Sequence, residues 1–341
     1  MSTNPSGLAH PAPRRLSDLF RVLRRRRVRR VIGRWLALAV VVAVAAAASV
    51  ALQAVDRLNV GSPGSSGGAP VAVPTSEPTT APGVAVDPLD AGVPKGLYLK
   101  PVYHDMKITR DGTVVEGLDV HGRIIVKAND VIIRNSRVRG ADTGSKNGII
   151  DMTRDFKNLL VEDTEIFATH EWFYVNGIIG HDFTLRRVNI HHVIDNVQVT
   201  GSNVTIEDSW FHDNLHYDVD PVQDGTPSHD DSVEIFGGNN IVIRNNHMSG
   251  AWNASLQLSQ RRGPISDVTF ENNTVNNGFC SIIFSRIDEV PAQNVKIKDN
   301  IFGRGTRYEQ CAIIGPLNIQ PVIENNFYSD GEPVTSWRRG K

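Results

Sequence analysis

Residues 229–248 read HDDSVEIFGGNNIVIRNNHM, and the two halves of this stretch recur, with variation, along most of the chain. In the first half, Asp231 to Ile235 alternate polar and apolar residues, and after a Gly-Gly-Asn-Asn break the alternation resumes from Ile241 to Asn246. Alternation with a period of two predicts a strand that is buried on one face. The stretch therefore predicts two short strands separated by a turn, which together form one coil of a solenoid.

The second half of this stretch is the clearer repeat unit. Its pattern is apolar-x-apolar-x-Asn/Asp-Asn/Ser/Thr, and copies begin at residues 131, 159, 183, 204, 241, 268, 295 and 322, of which those at 183 and 322 are degenerate. The shortest step is 21 residues, from 183 to 204, and the longest is 37, from 204 to 241. Steps in this range indicate stacked structural repeats rather than a globule, and the longest step contains an insertion.

Each copy of the repeat ends in residues that favour a turn. Asn and Asp side chains bond to their own backbone and tolerate the left-handed conformation, so each coil should turn a corner there. Coils that stack about 4.8 Å apart place equivalent residues in ladders along the solenoid. One such ladder is predicted to point inward, and it consists of Ile149, Ile178, Val197, Val233, Leu256, Ile282 and Ile313.

The composition divides the 341 residues into four parts. Residues 1–34 contain ten Arg and one acidic residue, which predicts a basic cytoplasmic leader. Residues 35–55 contain no charged residue and are long enough to cross a bilayer as a transmembrane helix; a cleaved signal segment is the alternative. Residues 56–95 are rich in Pro, Gly, Ser and Thr, which predicts a disordered linker. Residues 96–341 form the repeat domain.

This order of segments predicts where the protein resides and what it contacts. The expected location is the cell membrane, with a single pass through residues 35–55, the N-terminus inside and the repeat domain outside; secretion after cleavage is the alternative. The leader has a charge of plus nine and residues 35–95 of minus two, so residues 96–341 have minus eight of the total of minus one. An acidic solenoid argues against nucleic-acid binding and favours glycans or cations as partners. We expect a monomer.

The two cysteines occupy the same place in successive coils. Cys280 and Cys311 each stand two residues before an inward isoleucine. Stacked equivalents lie about 4.8 Å apart, which is within the Cα separation that a disulfide accepts. The sequence predicts a disulfide between them, and two free thiols in the core are the alternative.

The repeats over residues 100–330 resemble the right-handed parallel β-helix superfamily of pectate lyases and polygalacturonases, and more closely exported β-helix repeat proteins of actinobacterial type. The resemblance implies an all-β fold, a right-handed parallel β-helix solenoid. It implies less about activity, because this solenoid serves lyases, hydrolases, epimerases and binding proteins.

Two polar ladders mark the middle coils as the candidate site. Directly after the inward residue stand Gln198, Glu234 and Gln257 in consecutive coils. Two positions before the inward residue stand Asp195 and Asp231. These side chains are candidate substrate-binding and catalytic groups. Alternatively, the Asp ladder only stabilises the corners of the helix.

Aromatic or imidazole side chains recur four positions before the inward residue, at Tyr174, His229 and Trp252. Aromatic faces beside a polar row are a common way to hold sugar rings, so Tyr174 and Trp252 are predicted to bind substrate. His229, Asp230 and Asp231 are predicted to be functional, because three consecutive ionisable residues are costly to order unless they are paired or used.

The insertion before this stretch is rich in acidic residues. Asp218, Asp220 and Asp224 partly match the spacing of a calcium loop, and Ca²⁺ prefers oxygen ligands from flexible loops. The sequence therefore suggests a Ca²⁺ site, and the alternative is a solvated acidic loop.

The polygalacturonase resemblance assigns the family's three catalytic carboxylates to Asp195, Asp230 and Asp231. One would act as general acid while the others activate water, with carboxyl groups roughly 6.5–9.5 Å apart for an inverting hydrolase. The family's His and its Arg-Ile-Lys motif have no counterpart in the same register. Arg261 and Arg286 lie nearby, out of register.

A polysaccharide lyase is the second enzymatic hypothesis. Elimination from a uronate needs a cation and a base. Ca²⁺ held by Asp224, Asp230 and Asp231, with Arg261 or Arg286 as the base, would supply them. The third hypothesis is a non-catalytic surface protein that binds glycan. All three give a polysaccharide or cell-wall glycan as the partner.

Overall fold

The computed structural model describes residues 90–140, 148–285, 290–316, 318–334 and 338–339. The predicted leader and membrane segment, most of the predicted linker, and Arg286 lie outside these residues. Among the residues described, no helix is long and apolar enough to cross a membrane.

The chain forms a parallel β-helix in which three strands per coil build three parallel sheets. We call them sheets A, B and C. Among the described residues the paired strands are parallel, and each strand pairs with its equivalents in the previous and next coils. Crossovers between parallel strands are right-handed as a rule. The predicted all-β, right-handed parallel β-helix is therefore confirmed.

Sheet A contains β1 (Lys100–Val102), β4 (Leu118–Val120), β7 (Arg137–Val138), β10 (Glu165–Phe167), β13 (Asn189–His191), β16 (Trp210–His212), β19 (His247–Met248), β22 (Thr274–Val275), β25 (Ile301–Phe302) and β28 (Phe327–Tyr328). Sheet B contains β2 (Met106–Ile108), β5 (Ile124–Val126), β8 (Gly148–Met152), β11 (Asn176–Gly180), β14 (Val197–Val199), β17 (Asp231–Ile235), β20 (Ala254–Leu258), β23 (Ile282–Phe284), β26 (Ile313–Gly315) and β29 (Arg338–Arg339). Sheet C contains β3 (Val114–Glu116), β6 (Ile132–Arg134), β9 (Leu159–Glu162), β12 (Phe183–Arg186), β15 (Val204–Glu207), β18 (Ile241–Arg244), β21 (Ser266–Glu271), β24 (Gln293–Lys298) and β27 (Val322–Glu324).

The sequence pattern predicted two strands per coil and missed the third. The two predicted strands are those of sheets B and C, for example β17 and β18. The strands of sheet A follow the Asn/Asp corner and are only two or three residues long, as in β19 and β22. A segment of two residues is too short to show an alternating pattern, which is why the sequence did not reveal it.

The inward apolar ladder is confirmed, apart from a shift of one residue at its start. Ile178 pairs with Ile150, and Ile150 pairs with Ile124 in the preceding coil. The predicted member Ile149 is therefore out of register. Ile149 and Ile150 are both buried, so the sequence had no alternation there to fix the register. The corrected register brings Asp151 into the polar ladder.

The predicted corners have the expected backbone conformation. At the corners after β18 and β21 the first residue of the Asn pair has a positive φ, of 55° at Asn245 and 54° at Asn272. The second residue is buried and bonds to the next coil. The Nδ2 of Asn273 donates to the Oδ1 of Asn300 at 3.2 Å, and its Oδ1 accepts the backbone N–H of Asn246 at 2.9 Å. Hydrogen bonds between identical side chains thus stabilise this edge of the solenoid.

The predicted disulfide is present. Cys280 and Cys311 are bonded, with a Cα–Cα separation of 4.8 Å. Both side chains are fully buried. The bond joins the segment just before β23 to the segment just before β26, which fixes the turns that precede sheet B at the C-terminal end of the candidate site.

Candidate functional site

Sheet B brings the predicted polar ladders together. Gln198 pairs with Glu234, which pairs with Gln257 in the next coil. The same register places Asp195 opposite Asp231, just before these residues. One carboxylate oxygen from each of Asp195, Asp231 and Glu234 lies within 4.8 Å of the other two. We call these three residues the acid cluster.

The acid cluster is buried rather than open to a groove. Asp195 and Glu234 are each 3% exposed, and Asp231 is 0% exposed. These side chains therefore do not line an open groove in this structure. The separation of the oxygens is also shorter than the roughly 6.5–9.5 Å between the carboxyl groups of an inverting hydrolase.

Asp195 and Asp231 differ in the number of hydrogen bonds that their carboxylates accept. Asp195 accepts the backbone N–H of Asp231 at 2.8 Å and the side-chain amide of Gln198 at 2.6 Å. The Oδ1 of Asp231 accepts the Nδ2 of Asn253 at 2.8 Å. The Oδ2 of Asp231 has no hydrogen-bond partner among the residues that the structure describes.

The surroundings of the cluster favour protonated carboxyl groups. Burial raises the pKa of Asp195 well above its usual value, and the charge of Glu234 raises it further. Burial likewise raises the pKa of Asp231 well above its usual value, with added repulsion from Asp195 and Glu234. Three carboxylates cannot all be ionised this close together out of water. The cluster therefore retains protons at a pH where exposed carboxyl groups are ionised.

Glu234 is the member of the cluster that faces a cation. Burial raises its pKa, while the Arg261 guanidinium acts in the opposite direction. The Nε of Arg261 lies 3.4 Å from the Oε1 of Glu234, and the Arg261 side chain is 51% exposed. Arg261, one of the two predicted bases, thus covers Glu234 from the solvent side.

Asp230 lies next to the cluster but has a separate set of partners. It is fully buried and accepts the backbone N–H of Trp252 at 2.7 Å and the hydroxyl of Ser228 at 3.0 Å. The Nδ1 of His216 lies 2.8 Å from its Oδ1. Burial raises the pKa of Asp230, and the hydrogen bond from His216 opposes this rise. Asp230 therefore connects the insertion to the next coil.

Trp252 is not an open platform for a sugar ring in this structure. The ring of His216 stacks on it at 4.1 Å, with an angle of 16° between the planes. The guanidinium of Arg307 lies 3.1 Å from the centre of the Trp252 ring. Because a cation and an imidazole pack on the indole, Trp252 orients its neighbours and offers little free ring surface.

The remaining predicted residues lie around this centre. Tyr174 is half-buried before β11, one coil before Asp195. Gln257 is 8% exposed and accepts the Nδ2 of Asn253 at 2.6 Å. His229 is exposed, and partial burial of its ring together with the charge of Arg261 lowers its pKa. Arg286 lies outside the described residues.

The three Asp residues of the predicted calcium loop do not converge. Asp220 is buried and accepts the backbone N–H of Val222 at 2.7 Å, capping a short 3-10 helix (Pro221–Gln223). Asp224 ends that helix in the left-handed conformation. Asp218 is 94% exposed and lies near His216. Within the described part of the chain, the only group of three potential ligand residues is the acid cluster.

The sequence did not reveal the contacts made by His216, Asn253 and Arg307. Asn253 donates to both Asp231 and Gln257, and Arg307 donates to the backbone carbonyl of Trp252 at 2.5 Å. His216 lies 14 positions before Asp230 in the insertion, so no repeat register relates the two. The one available signal was the 37-residue step, which places His216 in the only long insertion between copies of the repeat.

Comparison with known proteins agrees with the fold. The sequence profile of the family described as "Right handed beta helix region" matches residues 124–327, and the chain belongs to this family. A search of curated proteins gives no match.

Among solved structures, the chain is similar to the crystal structure of Dettilon tailspike protein (gp208). The identity is 12%, and the TM-score is 0.29. The similarity covers 71% of this chain and 60% of that chain, so this chain matches less than two thirds of the other protein's length. A similarity of this size carries no information on function.

Proposed function

We propose that the protein binds and cleaves an extracellular polysaccharide at the acid cluster on sheet B. The observation that carries the proposal is the burial of Asp195, Asp231 and Glu234 together, which raises the pKa of all three carboxyl groups. Cleavage of a glycosidic bond needs a carboxyl group that still holds a proton near neutral pH. A cluster of this kind supplies one.

Glu234 is the proposed proton donor. It is the member of the cluster in contact with an exposed side chain, that of Arg261. Displacement of the long Arg261 side chain by substrate would expose Glu234 to a glycosidic oxygen. Asp195 and Asp231 then share the remaining charge, and hydrolysis would further require this buried pair to open towards the substrate so that one of the two activates water. Asp230 is proposed to position this pair through the adjacent backbone.

A divalent cation is the other way to neutralise the cluster. Three carboxylates, two of which have an oxygen with no hydrogen-bond partner among the described residues, form the kind of donor set that Ca²⁺ prefers. Asp195, Asp231 and Glu234 would hold it. A bound Ca²⁺ would supply the positive charge that elimination from a uronate requires, as in the lyase hypothesis.

Non-catalytic glycan binding is the second candidate function. It is favoured by the closure of the cluster, because the unpartnered oxygen of Asp231 is inaccessible to solvent.

In both cases the Arg-rich leader and the uncharged segment 35–55 support the proposal that the β-helix is held outside the cell membrane.

The test is an assay on a panel of polysaccharides, with Ca²⁺ and with EDTA. New reducing ends without unsaturated products would indicate hydrolysis, and unsaturated products that require Ca²⁺ would indicate a lyase. We expect Glu234→Gln to lower the rate at least about 100-fold. The matched control is Glu271→Gln, which removes a carboxylate on sheet C that pairs with Lys298 at 2.7 Å. Binding without any product would support the second candidate. No binding and no product across the panel would reject both.

A further inference from the structure

The first coils of the solenoid carry three cations close together at sheet B. Lys107 is an exposed residue of β2, and Lys127 and Arg154 lie in the turns after β5 and β8. The backbone N–H of Lys127 donates to the carbonyl of Ile108 at 2.8 Å, which places Lys127 beside β2. The charge of Lys107 lowers the pKa of Lys127, and desolvation and the charge of Arg154 lower it further. We call Lys107, Lys127 and Arg154 the basic cluster.

The basic cluster has no counter-ion within the described part of the chain. None of its three side chains forms an ion pair with a carboxylate there. The charge of Asp151 acts on Lys127, but the Asp151 carboxylate already accepts Arg123 at 3.3 Å and the Thr153 hydroxyl at 2.9 Å. Cations that lie close together repel one another, so a bound anion would lower the free energy of the cluster.

The cations of sheet C show the contrast. Acidic and basic residues pair along its strands, as Arg186 does with Glu207 at 2.7 Å and Lys298 with Glu271 at 2.7 Å. Residues 96–341 have a net charge of minus eight, so unpaired cations in a group are a local exception on an acidic domain. An anionic ligand is therefore directed to this part of the surface.

The basic cluster lies in line with the acid cluster. Lys107 belongs to the row of sheet B that contains Glu234. Five successive strand pairings connect the two, through Ile125, Asp151, Ile179 and Gln198. At about 4.8 Å for each coil, their separation along the solenoid is roughly 24 Å. A small anion cannot reach from one to the other, whereas an extended polymer can.

The far end of this row also has exposed cations. Arg261 and Arg262 follow β20, and their guanidinium carbons lie 5.7 Å and 5.4 Å from the centre of the Phe236 ring. Arg262 forms no ion pair with a described carboxylate, and Arg261 pairs with Glu234 at 3.4 Å. An anionic group that binds Arg261 competes with Glu234 for it. Such a ligand would itself release the proposed proton donor.

We infer that the ligand is an extended anionic polysaccharide, which binds the basic cluster at one end and Arg261 and Arg262 at the other. The inference rests on the proposed function and narrows its substrate class. The anionic group can be a carboxylate, a sulfate or a phosphate, because each accepts charge-assisted hydrogen bonds from ammonium and guanidinium groups. A neutral polysaccharide lacks these contacts and should bind more weakly.

The first test compares matched charged and neutral polymers on the full-length chain by calorimetry. The pairs are dextran sulfate with dextran, and polygalacturonate with its methyl ester, and poly(glycerol phosphate) is the phosphate probe. We expect at least one charged polymer to bind about ten-fold or more tightly than the neutral polymers. Added salt should weaken this binding, because the cations are exposed.

The second test locates the site. Lys107→Gln/Lys127→Gln should weaken binding of the preferred charged polymer about ten-fold or more. The matched control is Lys100→Gln/Lys296→Gln, which removes the same charge from exposed lysines of β1 and β24 and should bind as the wild type does. Equal losses in both variants would mean that total charge attracts the polymer, and would overturn the site. If the first variant unfolds, Arg154→Gln tests the same cluster at an exposed position.

Chain length tests whether one ligand reaches both ends. An oligomer of ten units of the preferred polymer is long enough to span them, and one of two units is not. We expect the longer oligomer to bind at least about ten-fold more tightly, and Arg262→Gln to reduce this advantage. Equal affinities would leave only a local anion site and would overturn the extended ligand.

The outcomes separate the inference from the proposed function. If the neutral polymers bind as tightly as the charged ones, the inference is rejected while glycan binding stands. Cleavage of a neutral polysaccharide, without binding of any charged polymer, would likewise reject the inference alone. Binding of phosphatidylglycerol vesicles but of no polysaccharide would assign the basic cluster to a membrane and reject both.

Discussion

Asp195 accepts a hydrogen bond from the backbone N–H of Asp231 in the next coil, at 2.8 Å, so the two buried carboxyl groups are held close together. The strand register enforces this approach, because Val197 and Val233 pair directly. The spacing of the coils therefore holds the two carboxyl groups where their negative charges would repel each other. Protons or a bound cation must neutralise at least part of this charge.

This repulsion predicts that Asp231→Asn stabilises the protein at neutral pH. Burial and neighbouring carboxylates raise the folded-state pKa of Asp231, so its favourable contribution is complete below the unfolded value of 3.8 and is lost as the pH rises through the folded pKa. The amide keeps the contact with Asn253 and cannot ionise. We expect the Tm at pH 7 to rise by roughly 2 to 4 °C, which corresponds to about 1 kcal/mol in a domain of this size.

The measurement is thermal unfolding at pH 4 and pH 7, without divalent cations. The gain from Asp231→Asn should shrink at pH 4, where the wild-type carboxyl is already protonated. Asp224→Asn is the control, because Asp224 is exposed and asparagine tolerates its left-handed backbone. A variant less stable than the wild type at both pH values would show that Asp231 is needed as an acceptor.

The site could be predicted from the sequence as far as the repeat register extends. Asp195, Asp231 and Glu234 lie at fixed positions in successive coils, so alignment of the copies brought them together. The partners of Asp230 could not be predicted this way, since His216 lies in an insertion with no equivalent in other coils. The burial of the cluster was also missed. An alternating pattern assigns one face of a strand to solvent, but all five residues of β17 are buried.

The buried asparagine ladder predicts a large loss of stability for Asn273→Ala. Asn273 is 1% exposed, and its amide donates to the Ile243 carbonyl at 3.0 Å and accepts the backbone N–H of Asn246 at 2.9 Å. The substitution removes both hydrogen bonds and leaves the buried Asn246 N–H without its side-chain acceptor, at a cost of about 1 to 3 kcal/mol. Chemical denaturation should show a loss of roughly 2 kcal/mol or more. Gln293→Ala, at an exposed position of β24, should change stability by less than about 0.5 kcal/mol.

The disulfide predicts a redox-dependent stability. Cys280 and Cys311 are 31 residues apart in the sequence, so their disulfide closes a loop of this length. For such a loop, the entropy lost by the unfolded chain stabilises the folded protein by on the order of 3 kcal/mol. The Cys280→Ala/Cys311→Ala variant should unfold at lower denaturant than the oxidised wild type and should not respond to reductant. The reduced wild type should resemble the variant. Equal midpoints for the oxidised wild type and the variant would mean that stacking alone holds these turns.

The histidines on sheet A predict that their contribution to stability falls as the pH is lowered. The contribution of the acid cluster changes in the opposite direction, because it falls as the pH is raised. His212 stacks on Trp210 at 3.7 Å and on His191 at 4.9 Å. Burial lowers the pKa of His212, the charges of His191 and His192 lower it further, and the hydrogen bond to Asp213 opposes them. The folded state therefore binds a proton at His212 less readily than the unfolded chain does. This contribution to stability is complete above pH 6.5, the unfolded value, and is lost as the pH falls through the folded pKa.

A phenylalanine at this position should remove the effect while preserving the stack. We expect the Tm of the wild type to fall more steeply between pH 6.5 and pH 5 than that of His212→Phe. At pH 7.5 the variant should be less stable, because it loses the contacts of His212 with Asn189 at 2.9 Å and with Asp213 at 2.8 Å. Trp210 and His191 would still pack on the new ring. Parallel pH profiles for the two proteins would mean that His212 does not control acid unfolding, and His191→Phe would then test the neighbouring ring in the same ladder.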